Sequence, residues 1–88
     1  MVRSSIIGYI NFHESFAFTV ENQIGRPYCA SFGALAGRYV VNTTNENGKL
    51  MASAVMAAKA AGSNIHVEGT GDCIYYPDSE DVNWLRVE

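Results

Sequence analysis

The first third of the chain has the two-residue periodicity of β-strands. Residues 5–12 are rich in β-branched and aromatic side chains and apolar on both faces in the middle, which predicts a central strand. Within residues 16–21, Phe16, Phe18 and Val20 fall on one face of a second strand. Because only three residues separate the two runs, we expect an antiparallel hairpin.

The next stretch carries shorter signals. Residues 22–27 contain Asn, Gly and Pro, which predict a loop. Residues 28–32 predict a short strand that ends at Gly33, and residues 38–41 predict another.

The periodicity then changes to that of a helix. A helix of about four turns is predicted over residues 46–61, with Gly62 at the position that favours left-handed backbone. Thr43 lies three residues before Glu46, which is the spacing of a capping box, while Asn45 and Asn47 are competing caps.

This predicted helix is rich in alanine, so other backbones can approach it closely. The sequence leaves two interpretations open: an ordinary helix lying on a sheet, or a helix whose exposed small face forms a subunit contact or lines a ring of subunits. The face expected to pack consists of Leu50, Ala54, Ala57, Ala58 and Ala61, flanked by Met51 and Val55.

The last quarter of the chain alternates again. Ile65 and Val67 are predicted to point inward from a strand, with His66 and Glu68 outward. The Gly-Thr-Gly run at residues 69–71 predicts a bulge or a sharp bend. The elements predicted after the bend are a strand over residues 72–76, a single helical turn over residues 78–82 and a last strand over residues 84–87.

These elements predict a single α+β domain that covers residues 1–88. A strongly curved antiparallel sheet of five to six strands, or a small barrel, carries the helix of residues 46–61 packed across it. A chain of 88 residues is too short for two cores, since typical domains run to about 100–150 residues. Folding at this size leaves much apolar surface uncovered, so we expect a covalent staple or a homo-oligomer.

Composition and charge exclude several classes of protein. A chain with 48% apolar and 17% charged residues is too hydrophobic to be disordered, and no run approaches the roughly 20 apolar residues of a membrane span. The net charge is −3 and the six basic residues are scattered, which argues against a nucleic-acid partner. Acidic residues concentrate in the last 17 positions and predict either a solvated rim or a cationic partner. They are Asp72, Asp78, Glu80, Asp81 and Glu88.

Cys29 and Cys73 are the only cysteines, and their separation excludes a closely spaced metal-ligand pair. Two interpretations remain: a disulfide that closes a long loop, worth about 4 kcal/mol in the chain-entropy model, or two small buried thiols in a reducing cytoplasm. The N-terminus lacks the pattern of a signal peptide. We expect an exported or periplasmic location if Met1 begins a mature form, and a cytoplasmic one otherwise.

Signals for catalysis or metal binding are weak. Residues 69–71 lack the lysine and the following helix of a phosphate-binding loop. His66 and Glu68 lie on one strand face and could offer two metal ligands, but without a further ligand a surface pair is the better interpretation. No nucleophile motif accompanies the serines and histidines. The sequence therefore predicts no catalytic residue, no metal site and no cofactor.

The aromatic residues of the C-terminal half are more informative. Rings beside carboxylates are suited to stack on and hydrogen-bond a sugar or a peptide side chain, although core packing is an alternative explanation for them. Trp84 and Tyr76 are predicted to stack on a ligand, while Asp72 and Asp78 are predicted to accept hydrogen bonds from it.

Several segments of the chain match a known group of proteins in order and spacing. They are Pro27, Cys29, residues 38–41, residues 48–51, residues 57–62, Val67, residues 69–71, Cys73, Tyr76, Asp78, Glu80 and Val82. In these segments the chain resembles a group of small, mostly exported and functionally undescribed bacterial proteins. The resemblance implies an exported protein in which Cys29 pairs with Cys73.

The predicted order of strands, one helix and more strands also resembles an oligonucleotide/oligosaccharide-binding (OB) barrel. The B subunits of pentameric bacterial toxins have this barrel, and the similarity implies a ring of subunits that binds cell-surface glycans.

Our first functional hypothesis is a non-catalytic binding module that acts as a homo-oligomer and recognises a glycan or another small ligand. Its partners would be other copies of the chain and that ligand, without nucleic acid or a membrane span. One alternative is a small enzyme or accessory protein with a pocket between subunits and His66 or His13 as proton carrier. The other is a purely structural assembly unit.

Overall fold

A computed structural model describes residues 2–12, 14–21, 28–30, 37–75 and 79–88. Five strands, one α-helix and a short 3-10 helix make up this part of the chain. In chain order they are β1 (Val2–Phe12), β2 (Ser15–Val20), the 3-10 helix (Tyr28–Ala30), β3 (Tyr39–Asn42), α1 (Glu46–Ala61), β4 (Asn64–Gly69) and β5 (Glu80–Val87).

The five strands close into a barrel in the order β1-β2-β3-β5-β4. β1 pairs antiparallel with both β2 and β4, and β4 pairs antiparallel with β5. The predicted curved sheet with one helix is confirmed, and a five-stranded barrel with its helix between the third and fourth strands is OB-like. One detail differs from the prediction, because the pair β3–β5 is parallel. α1 and β4 lie between these two strands and form the crossover that a parallel pair requires.

β1 is long enough to belong to two parts of the barrel. Its residues 2–5 pair with β4, and its residues 6–12 pair with β2, with a register shift between Ile6 and Gly8. A shift of this kind bends the strand and increases its twist. The bend explains how an 11-residue strand closes a small barrel.

The core fills the inside of the barrel and the space under α1. Phe18 stacks on Tyr39 with ring centroids 5.4 Å apart, and Phe16 lies 6.2 Å from Phe18. The predicted inward positions of β2 and β4 are thereby confirmed. The buried cluster consists of Ile6, Phe16, Phe18, Val20, Tyr39, Val41, Ala52, Val55, Ala58, Ile65 and Val67.

The predicted bounds of α1 are confirmed, but its cap and its packed face differ from the prediction. Asn45 is the N-cap and accepts a hydrogen bond from the Gly48 amide at 2.7 Å, so Thr43 does not have this role. The C-terminal Gly62 is left-handed, with φ of 71°, as expected.

The buried face of α1 is built from small residues around one valine. Its buried residues are Gly48, Ala52, Val55 and Ala58. Of the predicted face, only Ala58 is buried; Leu50 is 63% exposed, Ala57 and Ala61 are exposed, and Ala54 is half-buried. A Cβ on Gly48 would overlap the Asn42 carbonyl. The helix therefore lies too close to β3 at this point for a larger side chain. This close contact favours the face with the small residues over the face that contains Leu50.

Three further elements differ from the prediction. Residues 28–30 form a 3-10 helix instead of a strand, and residues 72–75 lie outside any strand. Residues 80–82 belong to β5 instead of a helical turn, while the predicted strand over residues 84–87 is confirmed as its continuation. The predicted bulge near residue 69 is also present, as a register shift between Glu68 and Gly69. The predicted loop over residues 22–27 lies outside the described residues.

Cys29 and Cys73 form a disulfide, which connects the 3-10 helix to the segment after β4. The bridge is therefore the correct one of the two alternatives. In the described ranges, no helix is both long enough and apolar enough to cross a membrane.

Candidate ligand cleft

A cleft of about 420 Å³ opens beside β3. Its walls come from β3, the first turns of α1, the start of β5 and the segment after β4. Apolar, aromatic, amide and carboxylate side chains share this space. The lining residues are Val40, Val41, Asn42, Asn45, Asn47, Gly48, Met51, Ile74, Tyr75, Asp81 and Val82.

Asparagines build the wall where β3 ends and α1 begins. The Asn42 side-chain oxygen accepts hydrogen bonds from the amide and the hydroxyl of Thr44, at 2.9 and 2.6 Å, which turns the chain out of the strand. Asn45 then caps the helix through its own side-chain oxygen. Since the turn and the cap use only the oxygens, the two N–H donors of each amide are left for another acceptor. Asn47 is exposed beside them.

Asp81 shapes the opposite wall. Its two carboxylate oxygens accept hydrogen bonds from the amides of Ile74 and Tyr75, both at 3.2 Å. Its backbone adds two more bonds, with N–H donating to the Asp72 carbonyl and C=O accepting from Thr70. Asp81 therefore ties the segment 70–75 to β5, and residues 74 and 75 bond to its side chain instead of pairing as the predicted strand.

Glu80 supports the same segment from inside. Its side chain is 4% exposed and accepts a hydrogen bond from the Gly71 amide at 2.9 Å. A Cβ on Gly69 would overlap this carboxyl group, so glycine is required there for the carboxylate to fit. Neighbouring Ser79 is fully buried and accepts a hydrogen bond from Arg38 at 2.8 Å. Of the predicted acidic rim, Glu80 and Asp81 are thus bound within the fold.

Tyr75 joins this wall to the turn between β1 and β2. Its hydroxyl donates to the Glu14 carbonyl at 3.0 Å and accepts from the buried Ser15 hydroxyl at 3.1 Å. Both ends of the side chain are therefore fixed, and the ring presents a rigid, partly exposed face. Ile74 beside it is 82% exposed, and Cys73 ties the preceding position to the 3-10 helix.

The predicted ligand residues lie in different places. Asp72 is exposed in the segment whose neighbouring residues line the cleft. Trp84 is 42% exposed on β5 opposite Glu68 and belongs to a different surface from the cleft. Tyr76 and Asp78 lie outside the described residues. The structure therefore does not bring Trp84 and Asp72 together in this cleft.

Sequence reasoning missed the lining asparagines and the role of Asp81. The three asparagines occur within six residues, 42–47, between a strand and a helix, and this density was the available signal. Asp81 carried none, because its partners are backbone amides that only the fold brings near.

His66 lies on the outer surface of β4. One of its ring nitrogens is 2.8 Å from a Glu88 carboxylate oxygen, and the other is 3.4 Å from Arg86. His13 lies outside the described residues. The described residues hold no group of three potential metal ligands. Among the described lining residues of the cleft, Asp81 is the only carboxylate.

No family model, no curated protein and no solved structure matches this chain.

Proposed function

We propose that this protein is a non-catalytic binding module that recognises a small polar ligand, a glycan foremost, in the cleft. The observation that carries the proposal is the cleft itself, with about 420 Å³ of space in the range of roughly 300–1,000 Å³ typical of ligand sites. Its lining combines a few fixed polar groups with apolar and aromatic surface, which is the usual composition of such sites.

The polar groups suit a hydroxylated ligand. Amide N–H groups of Asn42, Asn45 and Asn47 would donate to sugar hydroxyl oxygens, and the remaining lone pairs of the Asp81 carboxylate would accept from sugar O–H groups. The Tyr75 ring, fixed through its hydroxyl, would pack against the C–H face of a sugar ring. Because the Asn42, Asn45, Asp81 and Tyr75 side chains are already held by hydrogen bonds within the fold, little of their conformational entropy would be lost on binding.

Trp84, Tyr76, Asp72 and Asp78 remain part of the proposal: Trp84 forms a second contact region, and the other three stay further ligand contacts predicted from the sequence. Trp84 is exposed on the β4–β5 surface, where a ring can stack on a ligand that extends beyond the cleft. Asp72 is exposed on the segment that forms one wall. An extended glycan would contact both regions, whereas a monosaccharide would contact only one.

Self-association is the other part of the proposal. Several large apolar side chains stay exposed, among them Ile7, Ile10 and Leu50, and a protein of this size gains stability by covering them with another copy. The disulfide supports an exported location, because such bonds persist in oxidising compartments.

The test is glycan-array binding with matched variants. Wild-type protein should bind a defined glycan set, and Asn47→Leu, at an exposed lining position, should weaken binding about tenfold or more by removing a donor. Lys59→Ala, at the far end of α1, is the control and should bind like wild type. Trp84→Ala measures the second region separately. An array with no bound glycan, obtained with correctly folded protein, would reject glycan recognition.

A further inference from the structure

Asn47 is the only asparagine of the chain that is followed by a glycine. The pair lies in the first turn of α1, where Asn47 is exposed and lines the cleft while Gly48 is buried. Asparagine before glycine is the pair most prone to deamidation, because glycine has no side chain to hinder the attack of its nitrogen on the asparagine side chain. The pair therefore has the chemistry of a deamidation site.

Deamidation at this pair needs only water as co-reactant. The Gly48 backbone nitrogen loses its proton and attacks the side-chain carbonyl carbon of Asn47. A C–N bond forms, and the side-chain nitrogen leaves as ammonia. Water then opens the resulting five-membered imide at either carbonyl carbon, which breaks one C–N bond of the ring and leaves an aspartyl or an isoaspartyl residue.

The fold requires the reactive glycine. A Cβ at Gly48 would overlap the Asn42 carbonyl, so the close contact between α1 and β3 excludes the larger residues that would slow the attack by their bulk. The side chain at position 48 therefore cannot protect Asn47. Protection has to come from the conformation and the hydrogen bonds of the backbone.

The N-cap of α1 supplies this protection. The Gly48 N–H donates to the Asn45 side-chain oxygen at 2.7 Å, and a buried, hydrogen-bonded amide loses its proton to hydroxide only when the bond opens, as in hydrogen exchange. The backbone at Asn47 must also leave its helical angles before the five-membered ring can close. The first turn therefore has a closed state that resists deamidation and a frayed state that reacts.

We propose that Asn47 is a deamidation site and that the Asn45 cap controls its rate, because the Gly48 nitrogen becomes reactive only when the first turn of α1 opens. The product adds a negative charge to a cleft in whose described lining Asp81 is the only carboxylate, and it removes an amide donor there. Any effect on a ligand rests on the proposed function, whereas the modification itself does not.

Mass spectrometry of the full chain, incubated at mildly alkaline pH, tests the inference. Asn47 should deamidate slowly in folded wild type and much faster in concentrated urea. Asn45→Ala removes the acceptor and should deamidate about five- to tenfold faster than wild type while folded. Asn45→Ser keeps a capping acceptor and should retain the wild-type rate. Asn83 is exposed but precedes Trp84, so it should keep its amide in the same samples and is the internal control.

A second measurement does not depend on the folding of any variant. In wild type, the deamidation rate and the hydrogen-exchange rate of the Gly48 amide should rise together with sub-denaturing urea, since both require the same opening. Divergent rates, or equal deamidation in folded Asn45→Ala and wild type, would overturn control by the cap. An Asn47 that keeps its amide in the urea-unfolded chain would overturn the site itself. Glycan binding is measured on freshly prepared protein and is independent of these outcomes.

Discussion

At two positions of this barrel, neighbouring atoms lie so close to the backbone that only glycine fits without displacing them. Gly48 and Gly69 each occupy a place where a Cβ would overlap a neighbour, the Asn42 carbonyl in one case and the Glu80 carboxyl in the other. The first neighbour is backbone and cannot rotate away, whereas the second is the end of a side chain. Gly48 is therefore the stricter of the two requirements.

Gly48→Ala should destabilise the protein. Alanine gains about 1 kcal/mol of helix propensity, but its Cβ overlaps the end of β3, and overpacking of this kind costs about 1–3 kcal/mol. We expect a lower free energy of unfolding in urea, despite the gain in propensity. The control is Asn47→Ala at the adjacent exposed position, which should leave the free energy of unfolding unchanged. A Gly48→Ala variant as stable as wild type would contradict the close approach of α1 to β3.

Asp81→Asn should loosen the segment 70–75 without unfolding the barrel. The carboxylate accepts from two successive amides, and an asparagine side chain has only one oxygen to replace the two. We expect a loss of about 1–3 kcal/mol and faster hydrogen exchange at the amides of Ile74 and Tyr75. Asp72→Asn changes an exposed carboxylate and serves as the control. Unchanged exchange in Asp81→Asn would show that other contacts hold the segment.

At the scale of elements, periodicity predicted most of the fold. It failed where a side-chain hydrogen bond or a close contact between segments determined the local structure. The β1–β2 hairpin, β3, α1 and β4 lie where alternating or helical patterns placed them. The segment 72–75 has the apolar content of a strand but is bound to the Asp81 side chain. Leu50 is the most hydrophobic residue of the predicted helix face, yet it is exposed because the helix packs through small residues around Val55 instead.

The start of α1 offers a test of which residue caps it. Asn45→Ala removes the acceptor of the Gly48 amide and should lower the free energy of unfolding by about 0.5–2 kcal/mol. Thr43→Ala should have a smaller effect, since Thr43 lies before the cap and its backbone amide bonds to Glu14 in either variant. Denaturant unfolding of the two variants measures the difference, and a larger loss in Thr43→Ala would reverse the assignment.

At the scale of the whole molecule, the disulfide connects two segments that are far apart in sequence. Cys29 and Cys73 are 44 positions apart, and the bridge joins the 3-10 helix to the segment that forms a wall of the cleft. A cross-link over a loop of this length restricts the unfolded chain strongly. It also limits the movement of the wall that carries Ile74 and Tyr75.

Loss of the bridge should therefore affect both stability and the cleft. The variant with Cys29→Ser and Cys73→Ser should be about 4 kcal/mol less stable by the loop-length relation, and reductant should destabilise wild type by a similar amount. The same reductant should leave the double variant unchanged, which is the control for nonspecific effects. Free-thiol titration of denatured, unreduced wild type should find no thiol; two reactive thiols would contradict the bridge.

The candidate site was only partly predictable. The aromatic and acidic residues of the C-terminal region led to the prediction of Asp72 and Trp84 as ligand contacts. Asp72 lies beside the cleft wall, whereas Trp84 lies on another surface. The asparagines of residues 42–47 could have been noticed from their density, but nothing in their spacing shows that the segment 70–75 faces them. That juxtaposition requires the parallel β3–β5 pair, which no local pattern encodes.

The sequence by itself determined the elements whose signals are local: alternating strands and a capped helix that ends at a left-handed glycine. These follow from backbone propensity and from periodic burial, which act over a few residues. Only the tertiary structure decided which face of α1 packs, which strand lies beside β3, and what Asp81 and Glu80 bind. Those outcomes depend on distances between segments remote in sequence, where close approach and unsatisfied backbone amides outweigh local preference.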